Sequence, residues 1–321
     1  MPRRVPPRQR LLHLLEGALV YAVYLLLAAL PMRAASAIGG AVARTLGPLI
    51  PVTRRARRNL VLAFPEKPPA EIERIIRGMW DNLGRTAAEY PHIQALWEED
   101  LVERALVIGE AAFKRAAAVG KPLVLAGKRI EVAGVEHIFD LEFNPQAAII
   151  FSAHMGNWEL MPLWSARLGM PATVVYRTPN NPYVARLIAR IRAGMGTLLP
   201  KGVLGAVLSG KVLEEGRLLG ILVDQKQNRG LPIPFFGRPA MTAPMLGRLA
   251  LKFRCPVLGA WVQRLDGQRF RITVTPPLAL PDSGDPAADV AALMTEVNAA
   301  VEGWIRERPD QWMWIHRRWS K

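Results

Sequence analysis

The sequence predicts an α/β protein with a central, mostly parallel sheet flanked by helices and with an N-terminal membrane-associated helix. Two observations carry this prediction. From residue 146 onwards, apolar runs typical of buried strands alternate with segments of helical spacing, as they do in parallel-sheet folds. Near the N-terminus, residues 11–30 form an apolar segment long enough to cross the ~30 Å hydrocarbon core of a bilayer as a helix.

The N-terminal segment is interpreted as a membrane anchor. His13 and Glu16 interrupt residues 11–30, and arginines lie on both sides of the segment. A cleaved signal peptide is one alternative, because small residues follow at 34–37, and a buried helix of the globular domain is another. We favour an uncleaved anchor because a second apolar, basic stretch follows. Charge on both flanks does not choose a side of the membrane, and it also suits a helix lying in one leaflet.

The rest of the chain is predicted to form one domain. We divide the sequence into an anchor with a basic juxtamembrane segment, residues 1–60, and a catalytic α/β domain, residues 61–321. In the second segment apolar residues at helical spacing predict helices at 70–90, 98–118, 157–168, 181–196, 203–214, 242–253 and 285–306. Apolar runs predict strands at 146–153, 171–176, 217–224, 256–264 and 269–276, the last two joined by a turn at Asp266-Gly267.

The charge balance indicates anionic partners. Lys and Arg number 42 against 27 Asp and Glu, for a net charge of +15. Such a surplus favours nucleic acid, anionic lipid surfaces, phosphorylated ligands or an acidic protein. No zinc-finger spacing and no aromatic-basic nucleic-acid module is present, so nucleic acid is not expected as a partner. The apolar N-terminus favours an anionic membrane surface instead.

Several enzyme classes are excluded by missing motifs. The sequence has no G-x-S-x-G elbow, no phosphate-binding Walker loop, no dinucleotide G-x-G-x-x-G after a strand and no H-E-x-x-H. The five histidines are scattered, so no metal site is expected. The single cysteine, Cys255, lies in a predicted buried strand and is interpreted as a core residue.

The segment FSAHMGNWEL at 151–160 is the strongest candidate for chemistry. His154 closes a buried strand, and Glu159 follows five residues later. If His154 lies on the strand-to-helix turn, a Glu159 carboxylate in the first helical turn can fold back to one imidazole nitrogen and leave the other to accept a proton. Gly156 permits the tight turn, and Asn157 is a good helix N-cap.

The spacing alone does not identify the site, because His137 and Glu142 have the same separation. That pair lacks the Gly-Asn turn and follows no buried strand. We therefore treat His137–Glu142 as a chance match, and the context of His154 decides between them.

Five separate segments match one family pattern. They are RRNLVLAFPE (57–66), AHMGNWEL (153–160), YRTPNNP (176–182), LVDQKQNRGLPIPFFGRPAMTAP (222–244) and QWMWIHRRW (311–319). In these segments the chain resembles the lipid A biosynthesis acyltransferases, which add secondary fatty acyl chains to lipopolysaccharide precursors. The resemblance covers most of the chain.

The resemblance implies a direct acyl transfer. An acyl group would move from an acyl-carrier-protein thioester to a hydroxyl of a lipid A precursor, without a covalent enzyme intermediate, cofactor or metal. His154 would be the general base and Glu159 its orienting carboxylate. The expected location is the bacterial inner membrane, with the catalytic domain on the cytoplasmic face.

Further residues are candidates for substrate binding: Arg177, Asn181, Arg192, Asp224 and Gln225. Arginines after strands can bind phosphate or stabilise an oxyanion, and polar residues at strand ends often line the sites of α/β enzymes. The tryptophan-rich ending with His316 is assigned to packing. 

Two rival functions remain. One is an acyltransferase for a glycerolipid or another glycolipid, although such enzymes usually have Asp where this chain has Glu159. Residues 121–145 are longer and more charged than the family pattern, which leaves the acceptor open. The other rival is a non-catalytic membrane protein that binds anionic lipid, for which His154 would be dispensable.

Overall fold

The computed structural model describes residues 6–96, 124–143 and 146–319. The helix predicted at 98–118 lies outside the described residues. The helices are α1 Pro7–Ala29, α2 Met32–Leu46, α3 Thr53–Ala63, α4 Pro69–Glu89, α5 Val135–Phe143, α6 Leu160–Arg167, α7 Pro182–Ile191, α8 Val203–Glu214, α9 Met245–Phe253 and α10 Pro286–Glu307. Short 3-10 segments lie at Gly47–Leu49, Tyr90–Leu96 and Pro309–Gln311.

An eight-stranded sheet organises the described part of the chain. Its strands are β1 Val124–Ala126, β2 Ile130–Ala133, β3 Ala148–Ser152, β4 Thr173–Tyr176, β5 Thr197–Pro200, β6 Leu218–Leu222, β9 Val257–Arg264 and β10 Phe270–Pro277. Their spatial order is β1-β2-β10-β9-β3-β6-β4-β5. The block from β9 through β3, β6 and β4 to β5 is parallel, and β9 pairs antiparallel with β10. Helices flank this sheet, which confirms the predicted fold class.

All five predicted strands are present, and the strands that were not predicted are short or lie outside the main sheet. Strand β5 and the pair β1–β2 were not predicted, because each has only three or four residues and carries no clear alternation. Residues Leu231–Phe235 and Arg238–Thr242 form a separate hairpin, β7–β8, that was also missed. The helix predicted from residue 242 begins at Met245, because Thr242 still pairs with Leu231.

The N-terminal helix α1 is long and apolar enough to cross a membrane by length and composition, and little of it is buried. It packs against α7, and its Leu27 carbonyl oxygen lies 3.0 Å from Nε2 of His92 in the segment Tyr90–Leu96. Gly17 faces Tyr183 so closely that an added Cβ would lie 2.6 Å from the Tyr183 Cβ. The Asn181 amide donates to the His13 carbonyl at 2.8 Å and to the Glu16 carboxylate at 3.0 Å.

Helix α3, which the predicted boundary at residue 60 divides, packs into the main core. Ala56 and Leu60 are fully buried there. The Asn59 amide donates to the carbonyl oxygens of Trp314 and His316 at 2.8 and 2.7 Å. The basic segment after the anchor therefore supports the part of the chain that follows α10.

A buried ion pair joins α4 to the sheet. Glu89 is fully buried, and the guanidinium of Arg264 on β9 donates to its two carboxylate oxygens at 2.6 and 2.9 Å. Ser36 and Asn157 donate to the same carboxylate at 2.7 and 2.9 Å. The buried carboxylate of Glu89 is thus neutralised by a cation and hydrogen-bonded by protein groups, which compensates for the loss of its hydration.

We predict that Arg264→Met strongly destabilises the protein, because it leaves the Glu89 carboxylate buried without its cation. The expected loss is about 3–5 kcal/mol of unfolding free energy, measured by chemical denaturation in detergent. The matched control is Arg254→Met, which breaks a surface ion pair with Asp282 in which both side chains are more than half exposed. It should cost less than about 1 kcal/mol. Equal losses in the two variants would contradict the prediction.

Candidate active site

The turn after β3 carries His154 and is shaped by one glycine. Gly156 has φ +57°, and a Cβ there would lie 2.1 Å from the carbonyl oxygen of Val262 on β9. A glycine therefore satisfies both the left-handed backbone and the close approach. The Gly156 carbonyl accepts from Asn82 at 2.9 Å and from Thr86 at 3.2 Å, which ties the turn to α4.

A buried aspartate, Asp224, holds His154. The Asp224 Oδ1 lies 2.8 Å from His154 Nδ1, and the backbone N–H of His154 donates to Oδ2 at 3.0 Å. The Trp312 indole N–H donates to Oδ2 at 2.8 Å. Burial raises the pKa of the Asp224 carboxyl, but the charge and hydrogen bonds of His154 outweigh it and hold that pKa well below its usual range.

Sheet register explains this pair. Strands β3 and β6 are parallel, with Ser152 opposite Leu222. His154 and Asp224 each lie two residues beyond that matched pair, so both reach the same carboxyl edge of the sheet. Asp224 was predicted as a substrate-binding residue, whereas its contacts are those of the partner that orients His154.

Glu159 does not make the hydrogen bond to His154 that the sequence predicted. Its carboxylate accepts from Arg192 Nε at 2.8 Å, and Arg192 Nη2 donates to its other oxygen. The Trp158 indole also donates to Glu159 at 2.9 Å. The physical reason is competition: Arg192 neutralises Glu159, while Asp224 occupies the Nδ1 side of His154. Against the effect of burial, this ion pair raises the pKa of Arg192.

The helix cap was also assigned to the wrong residue. Helix α6 begins at Leu160 with Glu159 at the N-cap and no side-chain cap bond. Asn157, the predicted cap, instead donates to Glu89 at 2.9 Å. It fastens the turn to the buried ion pair.

Gln225 bridges two imidazoles on the other side of His154. Its Nε2 lies 3.4 Å from Nε2 of His154 and 3.4 Å from Nε2 of His316, while its Oε1 accepts from Lys201 at 3.3 Å. The lysine can only donate, which fixes the orientation of the amide. Both imidazoles then accept at Nε2, and His154 carries its proton on Nδ1, toward Asp224.

His316 thus lies at the site, although the sequence assigned it to packing. The ring centroids of His154 and His316 are 5.3 Å apart. Burial lowers the pKa of His316 to about 4, with His154, Lys201 and Arg55 acting in the same direction and Asp224 against them. His316 is therefore neutral at physiological pH.

The remaining predicted residues divide into two groups. Arg177, Arg192 and Gln225 line the cavity in front of His154, and Arg177 is exposed at its edge. Asn181 does not point into this cavity. Its oxygen caps α7 by accepting from Tyr183 and Val184, and both of its amide hydrogens are used on α1, so no donor remains for a substrate.

The cavity has a volume of about 960 Å³ and is mainly apolar. Its lining includes six basic side chains, and Glu159 is its one acid among the described residues; the bases are Arg177, Arg192, Lys201, Lys226, Arg229 and Arg248. Such a cavity suits a ligand with a long hydrocarbon part and an anionic part.

Within residues 6–96, 124–143 and 146–319, no three His, Cys, Asp or Glu side chains gather in a group able to hold a metal ion. Cys255 is buried in the main core, and burial raises the pKa of its thiol to about 11. Its surroundings are those of a core residue, as the sequence predicted.

The fold and the site together define an α/β protein with a histidine base candidate over a long apolar cavity. The family model described as bacterial lipid A biosynthesis acyltransferase matches residues 6–128 and 126–321. The chain therefore belongs to this family of acyltransferases, which confirms the resemblance seen in the sequence.

Named relatives agree with this assignment. The chain is 26% identical to a lipid A biosynthesis lauroyltransferase of Escherichia coli over 83% of this chain and 79% of the relative. It is 25% identical to a lipid A biosynthesis myristoyltransferase of the same organism, over 82% and 73%. A palmitoleoyltransferase of that organism is 26% identical over 83% and 78%.

We predict that His316 makes the protein less stable as the pH falls from about 6.5 to 4. An unfolded histidine takes up a proton below about pH 6.5, whereas folded His316 does so only near pH 4. Between pH 4 and 6.5 the unfolded state therefore binds more protons than the folded state. The contribution of His316 to the free energy of unfolding is complete above about pH 6.5 and is lost as the pH falls through this window. The effect is up to about 3 kcal/mol.

Thermal unfolding of the wild type and of His316→Gln between pH 4 and 7 measures this effect. The difference in Tm between the two proteins should change across the window, because the variant lacks the titrating group. Parallel Tm curves would show that His316 does not contribute.

Proposed function

We propose that the protein transfers a fatty acyl chain from an acyl-carrier-protein thioester to a hydroxyl of a lipid A precursor, with His154 as the general base. The observation that carries the proposal is the state of His154. Its Nδ1 is held by buried Asp224 at 2.8 Å, and its Nε2 accepts a hydrogen bond at the edge of the apolar cavity. A neutral imidazole with Nε2 as acceptor is the form that a general base requires.

The proposed step is a direct displacement. The acceptor hydroxyl takes the place of the Gln225 amide at His154 Nε2 and gives its proton to that nitrogen. Its oxygen attacks the thioester carbonyl, a new ester C–O bond forms, and the C–S bond breaks. The imidazolium, stabilised by Asp224, returns the proton to the departing thiolate. A positioned base of this kind contributes roughly 10²–10⁴-fold to the rate.

Cationic side chains support the choice of substrates. Arg177 at the edge of the cavity suits a phosphate group of the glycolipid, since its planar guanidinium can donate two parallel hydrogen bonds. Arg192 also lines the cavity, where Glu159 holds its guanidinium in place. We interpret Glu159 as a positioning residue for Arg192. The net charge of +15 also suits an acidic carrier protein and an anionic membrane surface.

We propose that α1 anchors the enzyme in the bacterial inner membrane and that the domain of residues 61–321 faces the cytoplasm. The length and apolar composition of α1 support the anchor. The donor supports the side, because the carrier protein is cytoplasmic. No nucleic-acid partner and no cofactor enters the proposed reaction.

The test of the function is acyl transfer by the purified protein in detergent. Acyl carrier protein loaded with a fatty acid is mixed with a lipid A precursor, and the products are followed by mass spectrometry. We expect one added acyl chain, and His154→Ala should lower kcat at least about 100-fold. Transfer to a lysoglycerolipid but not to the lipid A precursor would favour the glycerolipid alternative. Full activity of His154→Ala would refute the base.

We predict that the two carboxylates of the site affect different parts of the kinetics. Asp224→Asn removes the charge that stabilises the imidazolium, so kcat should fall and the acid limb of its pH profile should move to lower pH. Glu159→Gln releases Arg192 and lowers activity without moving that limb. The pH dependence of kcat for both variants measures this. A shifted limb in Glu159→Gln alone would restore Glu159 as the partner of His154.

A further inference from the structure

The cavity in front of His154 extends onto both faces of the sheet. Successive residues of a strand point to opposite faces. On and after β6, Gly220 and Leu222 line the cavity from one face, whereas Ile221 and Val223 line it from the other. The cavity therefore has two apolar lobes that meet at the carboxyl edge of the sheet, where His154 and Gln225 lie.

The inner lobe lies between the sheet and α6. Gly220 forms its floor, with Ile150 and Val174 as its cross-strand neighbours, and Met161 of α6 lies opposite. A Cβ at Gly220 would meet Val174 Cγ2 at 3.3 Å, and the three nearest atoms all belong to residues 172–174 of the adjacent strand and its approach. The space between Gly220 and the helix layer is thus open, and the missing side chain deepens the lobe.

The outer lobe lies on the opposite face, under α8 and α9. Ala206 and Leu249 line it together with Ile221. At its open end the lining continues to Val203 at the start of α8, which is 85% exposed. Leu204 and Val207 of the same helix are also exposed, at 60% and 66%. Exposed apolar side chains around an opening are typical of a surface that contacts lipid.

A buried hydroxyl lies at the entrance to the inner lobe. Ser152 is opposite Leu222 on the inner face, lines the cavity and is 6% exposed. Its Oγ has no hydrogen-bond partner among the residues that the structure describes. A buried hydroxyl without a partner is costly, and a carbonyl group bound at this entrance would accept its hydrogen bond.

We propose that the inner lobe holds the hydrocarbon chain of the acyl donor, that Gly220 sets the depth of this lobe, and that the outer lobe holds an acyl chain of the acceptor lipid. This assignment rests on the proposed function. A donor chain delivered by a water-soluble carrier needs an enclosed lobe, and its thioester carbonyl then lies at Ser152 and His154. An acceptor that stays in the bilayer enters the outer lobe past the exposed apolar start of α8, at Val203.

Binding of uncleavable donors tests the inner lobe. The probes are S-alkyl thioethers of acyl carrier protein with graded chain lengths, and the Kd for each is measured by calorimetry. Gly220→Leu should leave binding of the short chains unchanged and weaken binding of the long chains. The Kd should rise roughly fourfold for each methylene that no longer fits in the lobe. Met161→Ala should shift the preference toward longer chains. The matched control is Ala206→Leu in the outer lobe, which should leave the donor profile unchanged.

Transfer kinetics with the lipid A precursor test the outer lobe. Ala206→Leu should raise the KM for the acceptor severalfold, and Gly220→Leu should not. An unchanged donor profile in both Gly220→Leu and Met161→Ala would overturn the proposal. If circular dichroism shows that Gly220→Leu does not fold, the binding profile of Met161→Ala tests the inner lobe by itself. If the chain-length profile of donor binding shifts as expected but the wild-type protein transfers nothing to the lipid A precursor, the proposed function is refuted. The assignment of the inner lobe to the donor chain would then still stand.

Discussion

The hydrogen bonds that converge on Asp224 are the constraint on which the site depends. One carboxylate receives the imidazole and the backbone of His154 and also the indole of Trp312, and it is fully buried. The donors and Asp224 itself come from three separate parts of the chain: the turn after β3, the segment after α10 and the end of β6. A buried carboxylate is stable only if its hydrogen bonds are satisfied. The same bonds that balance Asp224 therefore bring the three segments together and select the tautomer of His154.

Two further buried carboxylates build the surroundings of this centre without touching its base. Glu89 pairs with Arg264 and joins α4 to β9, and Asn157 ties the turn that carries His154 to the same carboxylate. Glu159 pairs with Arg192 and connects α6 with the end of α7. Each pair is local, and each neutralises its own charge. Asp224 is therefore the carboxylate that contacts His154, and the two arginine pairs hold together the segments around it. This division explains how a basic protein can hold three buried acids near one imidazole.

The fold was predictable from the sequence because its signals are local. Alternating strands and helices indicated the parallel sheet, and the apolar strand before the Gly-Asn turn located His154. The partner of His154 was not predictable in the same way. Glu159 is close to His154 in sequence, whereas parallel strands place side by side residues that are far apart in sequence. The register of β3 against β6 is needed to find Asp224. His316 was missed for a similar reason, since its tryptophan-rich segment has the composition of a packing element.

The two lobes of the cavity could not be predicted from a motif either. They depend on which face each residue of β6 points to and on the absence of a side chain at Gly220.

Trp312 and His316 have a consequence for the order of events during synthesis. The ribosome makes α1 before any strand of the sheet and makes the segment after α10 last among these elements. The indole that satisfies Asp224 and the second imidazole beside Gln225 come from a segment made only after every strand of the sheet. Until that segment emerges and folds back along α3, where Asn59 receives it, the His154 site is incomplete. Under the proposed function, a chain that lacks the segment after α10 would therefore have an incomplete site and no transfer activity.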